Sequence, residues 1–403
     1  MSRHIKTNFD GNGLLQMASL RFVQTGDWHL GQPYRNVGLD LAPRLRAARL
    51  EAVGRVLQQA KNLGAAFVLA TGDQFDGPNP DPSLVRELLE RIAAFPDVMV
   101  HMIPGNHDPS VPGSVYSRAG FRPPKNLHLH LEPKPVALPD LGATLYPCPC
   151  SARYGPDPMA WIGPRSPGDG LRIALAHGSL PQFAEAEHRN YPILAEAPSR
   201  YDLDYVALGD WHTATPWPED RPDDRMYYAG APEIGGWDEP AAGTALALQI
   251  EPDRAPSVTL LRVGGFTWHD LAPDLHNAAD IHDLFAQLDR LLGPRGIVRV
   301  RPVGRLGPID RKTLEEGINQ RSPDCAGLRL DLDALRLADD EVEDDLDLLK
   351  DPLLRAVADR LARLASDPND PLPEDLPTEV RKIDPEILAR ARALFRDLLP
   401  RRP

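Results

Sequence analysis

Side chains that can bind a metal ion follow several apolar runs of this sequence. Asp27 and His29 come directly after the apolar run Leu20–Thr25. The same arrangement recurs further along the chain at the following residues: Asp73, Asn106, His107, Asp108, His177, Asp210 and His212. Glycines stand beside most of these groups and allow the backbone to turn sharply. A single Asp-x-His pair is usually an ordinary loop, but its repetition after successive apolar runs indicates a common purpose.

That purpose is best explained by a metal centre. The carboxyl ends of parallel strands gather at one edge of a sheet, where the sites of α/β proteins are built. Imidazole, carboxylate and amide oxygen together suit manganese, iron or zinc, and the absence of cysteine from the series disfavours a structural zinc site. The sequence therefore predicts a metal cluster beyond the strand ends.

Strands and helices alternate around these residues. The runs at 20–25, 65–70 and 97–103 are predicted strands, and 43–64 and 83–95 are predicted helices, the second one capped by Ser83. Four more predicted strands follow, at 172–177, 205–209, 226–230 and 244–250. This order predicts an α/β fold in which two sheets form a sandwich flanked by helices.

The pattern changes after residue 262, and we divide the chain into four parts. Residues 1–17 form a polar leader, expected to be disordered, with Met17 as an alternative start. Residues 18–262 form the main α/β domain. Residues 263–350 form a smaller α+β cap domain, with a helix at 280–293, strands at 296–304 and 328–335, and a solvated acidic run near its end. Residues 351–403 form a helical tail with a proline-rich linker.

Composition excludes several classes of protein. The 403 residues carry a net charge of -13, which argues against binding DNA or RNA through bulk charge alone. Contacts to nucleic acid would need metal ions or local basic groups, for which the candidates are Arg44, Arg46, Arg49, Arg299 and Arg301. There is no apolar run of about 18 residues and no secretion signal, and only three cysteines are present, so we expect a cytoplasmic protein that does not enter a membrane.

The motifs "GDWHLG" (26–31), "GDQFD" (72–76), "GNHD" (105–108), "AHG" (176–178), "DYVALGDWH" (204–212) and "YYAGAPE" (227–233) resemble those of the calcineurin-like metallophosphoesterases. The resemblance covers about 18–260. Within that family the chain looks most like the SbcD-type DNA-repair exonucleases, because of Trp28 to Gly31, "YYAGAPE" and the additional carboxyl-terminal region.

The resemblance implies two divalent ions, with Mn²⁺ favoured and Mg²⁺, Fe²⁺ or Zn²⁺ as alternatives. Asp27, His29 and His212 would hold the first ion, and Asp73 would bridge both. The second ion would be held by Asn106, His177 and Asp210. His107 would act on the scissile phosphate as the catalytic residue, with Asp108 orienting its ring. Asp76 would either help to position Asp73 or cap a loop.

One residue departs from the family pattern, because the nuclease relatives usually have a second histidine where this chain has Asp210. A carboxylate can still bind a metal, so we expect a shift in metal preference towards Mn²⁺ rather than loss of the site.

The resemblance further implies a DNA exonuclease or endonuclease, a homodimer in DNA repair or defence that works with an SbcC-type SMC-like ATPase. The cap domain would face DNA, and the tail would either dock on the ATPase or pack on the cap. Two alternatives stay open at this point: a phosphodiesterase for small or cyclic nucleotides, and a weakly active scaffold for the ATPase.

Overall fold

The computed structural model describes residues 19–35, 37, 41–180, 190–217, 225–237, 239, 242–251, 255–337, 355–357, 359–361, 363 and 390–391. The predicted leader 1–17, the acidic run after 337 and nearly all of the predicted tail 351–403 lie outside these residues. The chain divides into two compact units, Met1–Trp268 and His269–Pro403.

The first unit contains these strands: β1 (Leu20–Thr25), β2 (Phe67–Thr71), β3 (Met99–Ile103), β4 (Leu127–Leu129), β5 (Val136–Leu138), β6 (Ala143–Cys148), β7 (Leu171–His177), β8 (Tyr205–Gly209), β9 (Thr215–Trp217), β10 (Met226–Tyr228), β11 (Thr244–Ile250) and β12 (Ser257–Arg262). They form two six-stranded sheets, in the orders β12-β11-β1-β2-β3-β4 and β5-β6-β7-β8-β10-β9. Neighbours from β1 to β4 are parallel, as are those from β6 to β8 and on to β10.

Successive side chains of a strand point to opposite faces of its sheet, which explains why the two sheets stack. Leu20 and Phe22 of β1 join a buried cluster with Ile173 and Tyr205 of the other sheet. Val23, which points the other way, packs with residues of the helices α1 (Leu41–Leu63) and α2 (Pro82–Ala93). A third cluster covers the outer face of the second sheet and includes residues around the short helix α3 (Ala197–Arg200). The predicted two-sheet sandwich flanked by helices is confirmed.

The start of α2 differs from the prediction. Asp81, not Ser83, caps this helix: its Oδ1 accepts a hydrogen bond from the Ser83 backbone N–H at 2.7 Å. Pro82 occupies the first turn, where its missing N–H costs nothing. Ser83 only supports the cap, since its hydroxyl donates to the same Asp81 oxygen at 2.6 Å.

The boundary between the units falls within β13 (Thr267–Leu271). The second unit continues with these elements: β14 (Asp274–Leu275), α4 (Ala278–Leu291), β15 (Gly296–Val300), β16 (Val303–Leu306), α5 (Pro308–Arg321), β17 (Gly327–Leu330) and β18 (Leu335–Leu337). The strands form two three-stranded sheets, β13-β15-β17 and β14-β16-β18. Leu284 and Leu288 of α4 pack with Val298 and Leu314 in a separate core. The single strand predicted over 296–304 is wrong, because Pro302 cannot donate to a ladder and the chain changes sheet there.

Among the described residues, no helix is both long and apolar enough to cross a bilayer.

Candidate metal centre

The predicted ligands meet where parallel strands of both sheets end. Asp27 and His29 follow β1, Asp73 follows β2 and Asn106 follows β3, while His177 ends β7 and Asp210 and His212 follow β8. The two sheets are joined at this end by Thr71, whose Oγ1 lies 3.1 Å from the carbonyl oxygens of both Thr25 and Leu208. The strand ends of the two sheets therefore share one pocket, and all seven predicted ligands lie in it.

We name Asp27, His29, His212 and Asp73 the first ligand cluster. The Nε2 atoms of His29 and His212 are 3.0 Å apart, and His29 Nε2 lies 3.5 Å from Asp73 Oδ2. Ligand atoms of Asp27, His29 and His212 all lie within 4.8 Å of one another. Two imidazole nitrogens and two carboxylates thus face a common point, a donor set that suits a first-row divalent ion.

We name Asn106, His177, Asp210 and Asp73 the second ligand cluster. His177 Nε2 lies 3.0 Å from Asn106 Oδ1, 3.5 Å from Asp73 Oδ2 and 3.8 Å from Asp210 Oδ1. This cluster offers one nitrogen and three oxygens, so it is richer in oxygen than the first. Asp73 Oδ2 is common to both clusters, which is the arrangement expected of a bridging ligand.

Each imidazole presents Nε2 to the pocket because Nδ1 has a partner behind it. His177 Nδ1 lies 2.9 Å from the Thr71 carbonyl oxygen, and His212 Nδ1 lies 2.5 Å from Glu239 Oε1. His29 Nδ1 faces Asp76 Oδ1 at 3.5 Å. An Nδ1–H that donates to oxygen fixes the tautomer and leaves Nε2 as a lone-pair donor, as in protein metal sites. Asp76 therefore faces His29, whereas the sequence had left open whether it would help to position Asp73 or cap a loop.

The electrostatics of the pocket favour a cation. Burial raises the pKa of Asp27 to about 7 although the charges of His177 and His212 oppose this shift. Burial lowers the pKa of His177, but the carboxylates of Asp73, Asp27 and Asp210 outweigh it and raise that pKa to about 9. Asp27 Oδ2 is buried and has no hydrogen-bond partner among the described residues. An orphaned carboxylate oxygen beside histidines that attract protons fits a metal site, since metals and protons compete for the same atoms.

The backbone at the ligands is strained. Asp27, His29 and Asp73 have φ values of 53°, 40° and 52°, in the left-handed region that non-glycine residues seldom occupy. Asp210 is further from the common regions, at 108°. Such conformations cost of the order of 1–3 kcal/mol each and persist where the surrounding structure enforces them.

Two glycines allow the backbone to approach the ligands of the second cluster closely. Gly72 has a φ of 100°, and a Cβ there would lie 2.4 Å from His177 Nδ1. A Cβ at Gly105 would lie 2.1 Å from Asp73 Oδ1. The glycines of "GDQFD" and "GNHD" are thus required by close approach of the backbone to ligands.

His107 lies at the mouth of the pocket, and Asp108 has a different role from the one expected. The half-buried ring of His107 stands at 87° to the ring of His29, with 4.9 Å between centroids. The buried carboxylate of Asp108 accepts hydrogen bonds from Gly105 N, Phe75 N and the Tyr116 hydroxyl, and none of these bonds involves the His107 ring. Asp108 therefore fixes the loops that carry Asp73 and Asn106, while His107 Nδ1 faces the Asp76 carbonyl oxygen at 3.4 Å.

Three residues at the site were missed by sequence reasoning. Glu239 binds His212, Ser179 donates to Asp210 Oδ2 at 2.6 Å, and Tyr116 donates to Asp108 Oδ2 at 2.6 Å. Ser179 stands two residues after His177, at the end of a predicted strand, so its position was a usable signal. Glu239 lies in a loop and Tyr116 in the short 3-10 helix Val115–Ser117, and neither segment has a pattern that points to the site.

The predicted basic contacts to nucleic acid are corrected in part. Arg44 and Arg46 are exposed on α1, but Arg49 is only 1% exposed and cannot reach a bulky ligand. In the second unit Arg299 and Arg301 each donate two hydrogen bonds to the same carboxylate, Asp270. Much of the charge of that pair is therefore neutralised within the chain.

Residues 20–214 match the calcineurin-like phosphoesterase family, a stretch that spans just under half of the chain and contains all seven predicted ligands. No curated protein matches the sequence.

Solved structures give distant similarities. The protein TT1561 of Thermus thermophilus shares 11% identity, with 61% of this chain and 100% of that chain covered and a TM-score of 0.35. GAP50, the anchor in the inner membrane complex of Plasmodium, shares 12% identity over 61% and 85% of the two chains, with a TM-score of 0.33. The purple acid phosphatase PPD1 from yellow lupin seeds shares 13% identity over 62% and 52%, with a TM-score of 0.36. At these values the similarities say nothing about the substrate.

The family match and the cluster of aspartates and histidines agree. Residues 20–214 are therefore similar to the calcineurin-like phosphoesterases, and this stretch contains the aspartates and histidines that could hold metal ions.

Proposed function

We propose that this protein is a two-metal phosphodiesterase that cleaves DNA, the SbcD-type nuclease subunit of a complex with an SMC-like ATPase. The observation that carries the proposal is Asp73 Oδ2, which lies 3.5 Å from a histidine of each ligand cluster. A carboxylate shared in this way supports two ions side by side, and such pairs act on phosphodiesters.

The two ligand clusters would each hold one metal ion for hydrolysis. Two divalent ions would supply a water of lowered pKa and neutralise charge on the phosphate oxygens. The first cluster fits one ion through Asp27, His29 and His212, and the second fits the other through Asn106, His177 and Asp210. The second cluster, with three oxygens and one nitrogen, favours Mn²⁺ over Zn²⁺.

His107 is the proposed catalytic residue. Its backbone N–H donates to Asp73 Oδ1 at 2.9 Å, which fixes the residue relative to the shared carboxylate. Its imidazole remains half-exposed beside the pocket, so it can stabilise charge on the phosphate or give a proton to the leaving oxygen.

DNA is proposed as the substrate because of the SbcD-type motifs and the additional compact unit after Trp268. A phosphodiesterase for small nucleotides has little use for such a unit. Exposed arginines on α1, Arg44 and Arg46, support contact with a phosphate backbone. A homodimer, the ATPase partner and a cytoplasmic setting are part of the same proposal.

The test compares the wild type with His107→Ala on linear double-stranded and single-stranded DNA in Mn²⁺, with bis-nitrophenyl phosphate alongside. We expect wild type to degrade DNA and the variant to bind Mn²⁺ normally but to cleave at least about 100-fold more slowly, as for loss of a general acid. Arg86→Ala, an exposed change on α2, is the control.

Other outcomes would change the proposal. Hydrolysis of the small ester alone, with and without the ATPase partner, would overturn DNA as the substrate. No hydrolysis of either substrate with any divalent ion would overturn the enzyme and favour a scaffold. Full activity of His107→Ala would remove that residue from the chemistry.

A further inference from the structure

A buried arginine holds the loop that carries the first two ligands. Arg49 of α1 is 1% exposed, its Nη1 donates to the Trp28 carbonyl oxygen at 2.9 Å, and its Nε donates to the Tyr34 hydroxyl at 2.6 Å. Trp28 stands between Asp27 and His29, both of which have positive φ. The arginine thus binds the carbonyl oxygen of the residue that stands between two strained ligand residues.

A half-buried glutamate holds the other side of the same cluster. Glu239 Oε1 lies 2.5 Å from His212 Nδ1, and Glu239 Oε2 accepts from the Gly235 backbone N–H at 2.6 Å.

Arg49 and Glu239 meet at Gly235. A Cβ at that glycine would lie 2.6 Å from Arg49 Nη2 and 2.8 Å from Glu239 Oε2. The guanidinium and the carboxylate, which carry opposite charges, therefore both lie next to the position that a side chain at residue 235 would occupy. Arg49 Nη2 is buried and makes no hydrogen bond to any described residue, so its charge is compensated by the nearby carboxylates of Glu239, Glu233 and Asp76.

We propose that Arg49 and Glu239 form a brace that positions the ligands of the first metal ion, with Gly235 left without a side chain so that the two can approach. Arg49 sets the loop of Asp27 and His29, and Glu239 sets the ring of His212. Both are positioning residues, since neither offers an atom to the ion. The inference rests on the metal-binding role of the first cluster and is independent of DNA as the substrate.

Calorimetric titration with Mn²⁺, together with the electron paramagnetic resonance spectrum of bound Mn²⁺, tests the brace in the full chain. We expect Glu239→Ala to weaken one of the two Mn²⁺ sites by about 10–100-fold, the usual effect of removing a partner of a ligating histidine, and to leave the other site unchanged. Glu239→Gln keeps an acceptor for His212 Nδ1 and should bind within a few-fold of wild type.

Arg49→Lys tests the other half of the brace. Lysine keeps the charge but cannot bind Trp28 O and the Tyr34 hydroxyl in the same geometry. We expect the same site to weaken as in Glu239→Ala. Gly235→Ala, whose Cβ would displace both side chains, should have the same effect. Exposed residues supply the controls, Arg86→Lys and Glu132→Ala, in which both sites should match wild type.

Circular dichroism and a thermal melt establish that each variant is folded. Wild-type affinity at both sites in folded Glu239→Ala or folded Arg49→Lys would overturn the brace. Equal weakening of both sites would also overturn it, because the proposed effect is confined to the first cluster. Should Glu239→Ala not fold, Glu239→Gln and Arg49→Lys decide the question. A wild type that binds two Mn²⁺ ions but cleaves no DNA would refute the proposed function and leave the brace standing.

Discussion

At the scale of single residues, Asp73 decides whether the two ligand clusters form one centre. Its Oδ1 accepts the His107 backbone N–H at 2.9 Å, which leaves Oδ2 between His29 and His177. Ions that share a carboxylate stand about 3.5–4 Å apart, close enough to act on one phosphate. The positive φ of Asp73 is consistent with a position set by the site and not by local preference.

A second group of histidines lies away from the ligand clusters and should make the free energy of unfolding depend on pH. His101 Nδ1 lies 3.0 Å from His130 Nε2. The ring of His128 stacks on the ring of His101, with 5.0 Å between their centroids. Burial, then the charges of His130 and His128, lowers the pKa of His101 to about 3. Burial, then His128 and Lys134, lowers the pKa of His130 to about 4.

The direction in which stability changes with pH follows from these lowered pKa values. A histidine whose pKa is lower in the folded state gains its proton first in the unfolded chain. Its contribution is therefore complete above about pH 6.5 and is lost as the pH falls towards about 4 for His130 and about 3 for His101. His101 alone should cost about 2 kcal/mol of the free energy of unfolding between pH 7 and pH 5. Urea unfolding of wild type and His101→Gln in EDTA measures this. Identical pH dependence in the two proteins would contradict the prediction.

The ligands were predictable because their residue types and their places at strand ends both carry information. Asp27, His29 and Asp73 follow predicted strands directly. Arg49 and Glu239 were not predictable in the same way. Arg49 stands four residues after Leu45 and three before Ala52, so helical periodicity places it on the buried face of α1, but it does not show which groups the guanidinium binds. Nothing in the sequence near Glu239 indicates that it reaches His212. Side-chain direction and loop path are tertiary properties.

At the scale of elements, strands with a regular apolar pattern were predicted well, and β1, β8 and β11 begin and end where expected. The predictions are wrong where a single residue determines where a strand or helix begins or ends. Pro302 separates β15 from β16, and Asp81 takes the capping position that the sequence assigned to Ser83. Aspartate and serine are both good caps, and only the backbone path distinguishes them here.

The cap of α2 gives a test at this scale. Asp81→Ala removes the acceptor of the Ser83 backbone N–H and should lower the free energy of unfolding by about 1 kcal/mol, since capping side chains contribute about this much. Ser83→Ala leaves the backbone bond in place and should cost clearly less. Chemical denaturation of both variants measures the difference, and a larger loss in Ser83→Ala would return the cap to Ser83.

At the scale of the whole molecule, the two compact units have separate cores. The ligands all belong to the unit that ends at Trp268, while Leu284, Leu288 and their neighbours form the core of the other. The chain has a net charge of -13, which repels phosphate groups. Cations bound by the carboxylates of the first unit would reduce this repulsion at the site.

Metal binding should therefore stabilise one unit and not the other. A ligand that binds only the folded state stabilises it by about 2.7 kcal/mol at a concentration 100 times its Kd, and the ligand clusters exist only in the fold of the first unit. In differential scanning calorimetry we expect two transitions in EDTA, of which Mn²⁺ shifts one upward and leaves the other in place. Asp73→Asn, which removes charge from both clusters, should abolish most of the shift, while the exposed change Asp97→Asn should keep it. A single transition that moves as a whole would mean that the units unfold together, and the absence of any shift would contradict the metal centre itself.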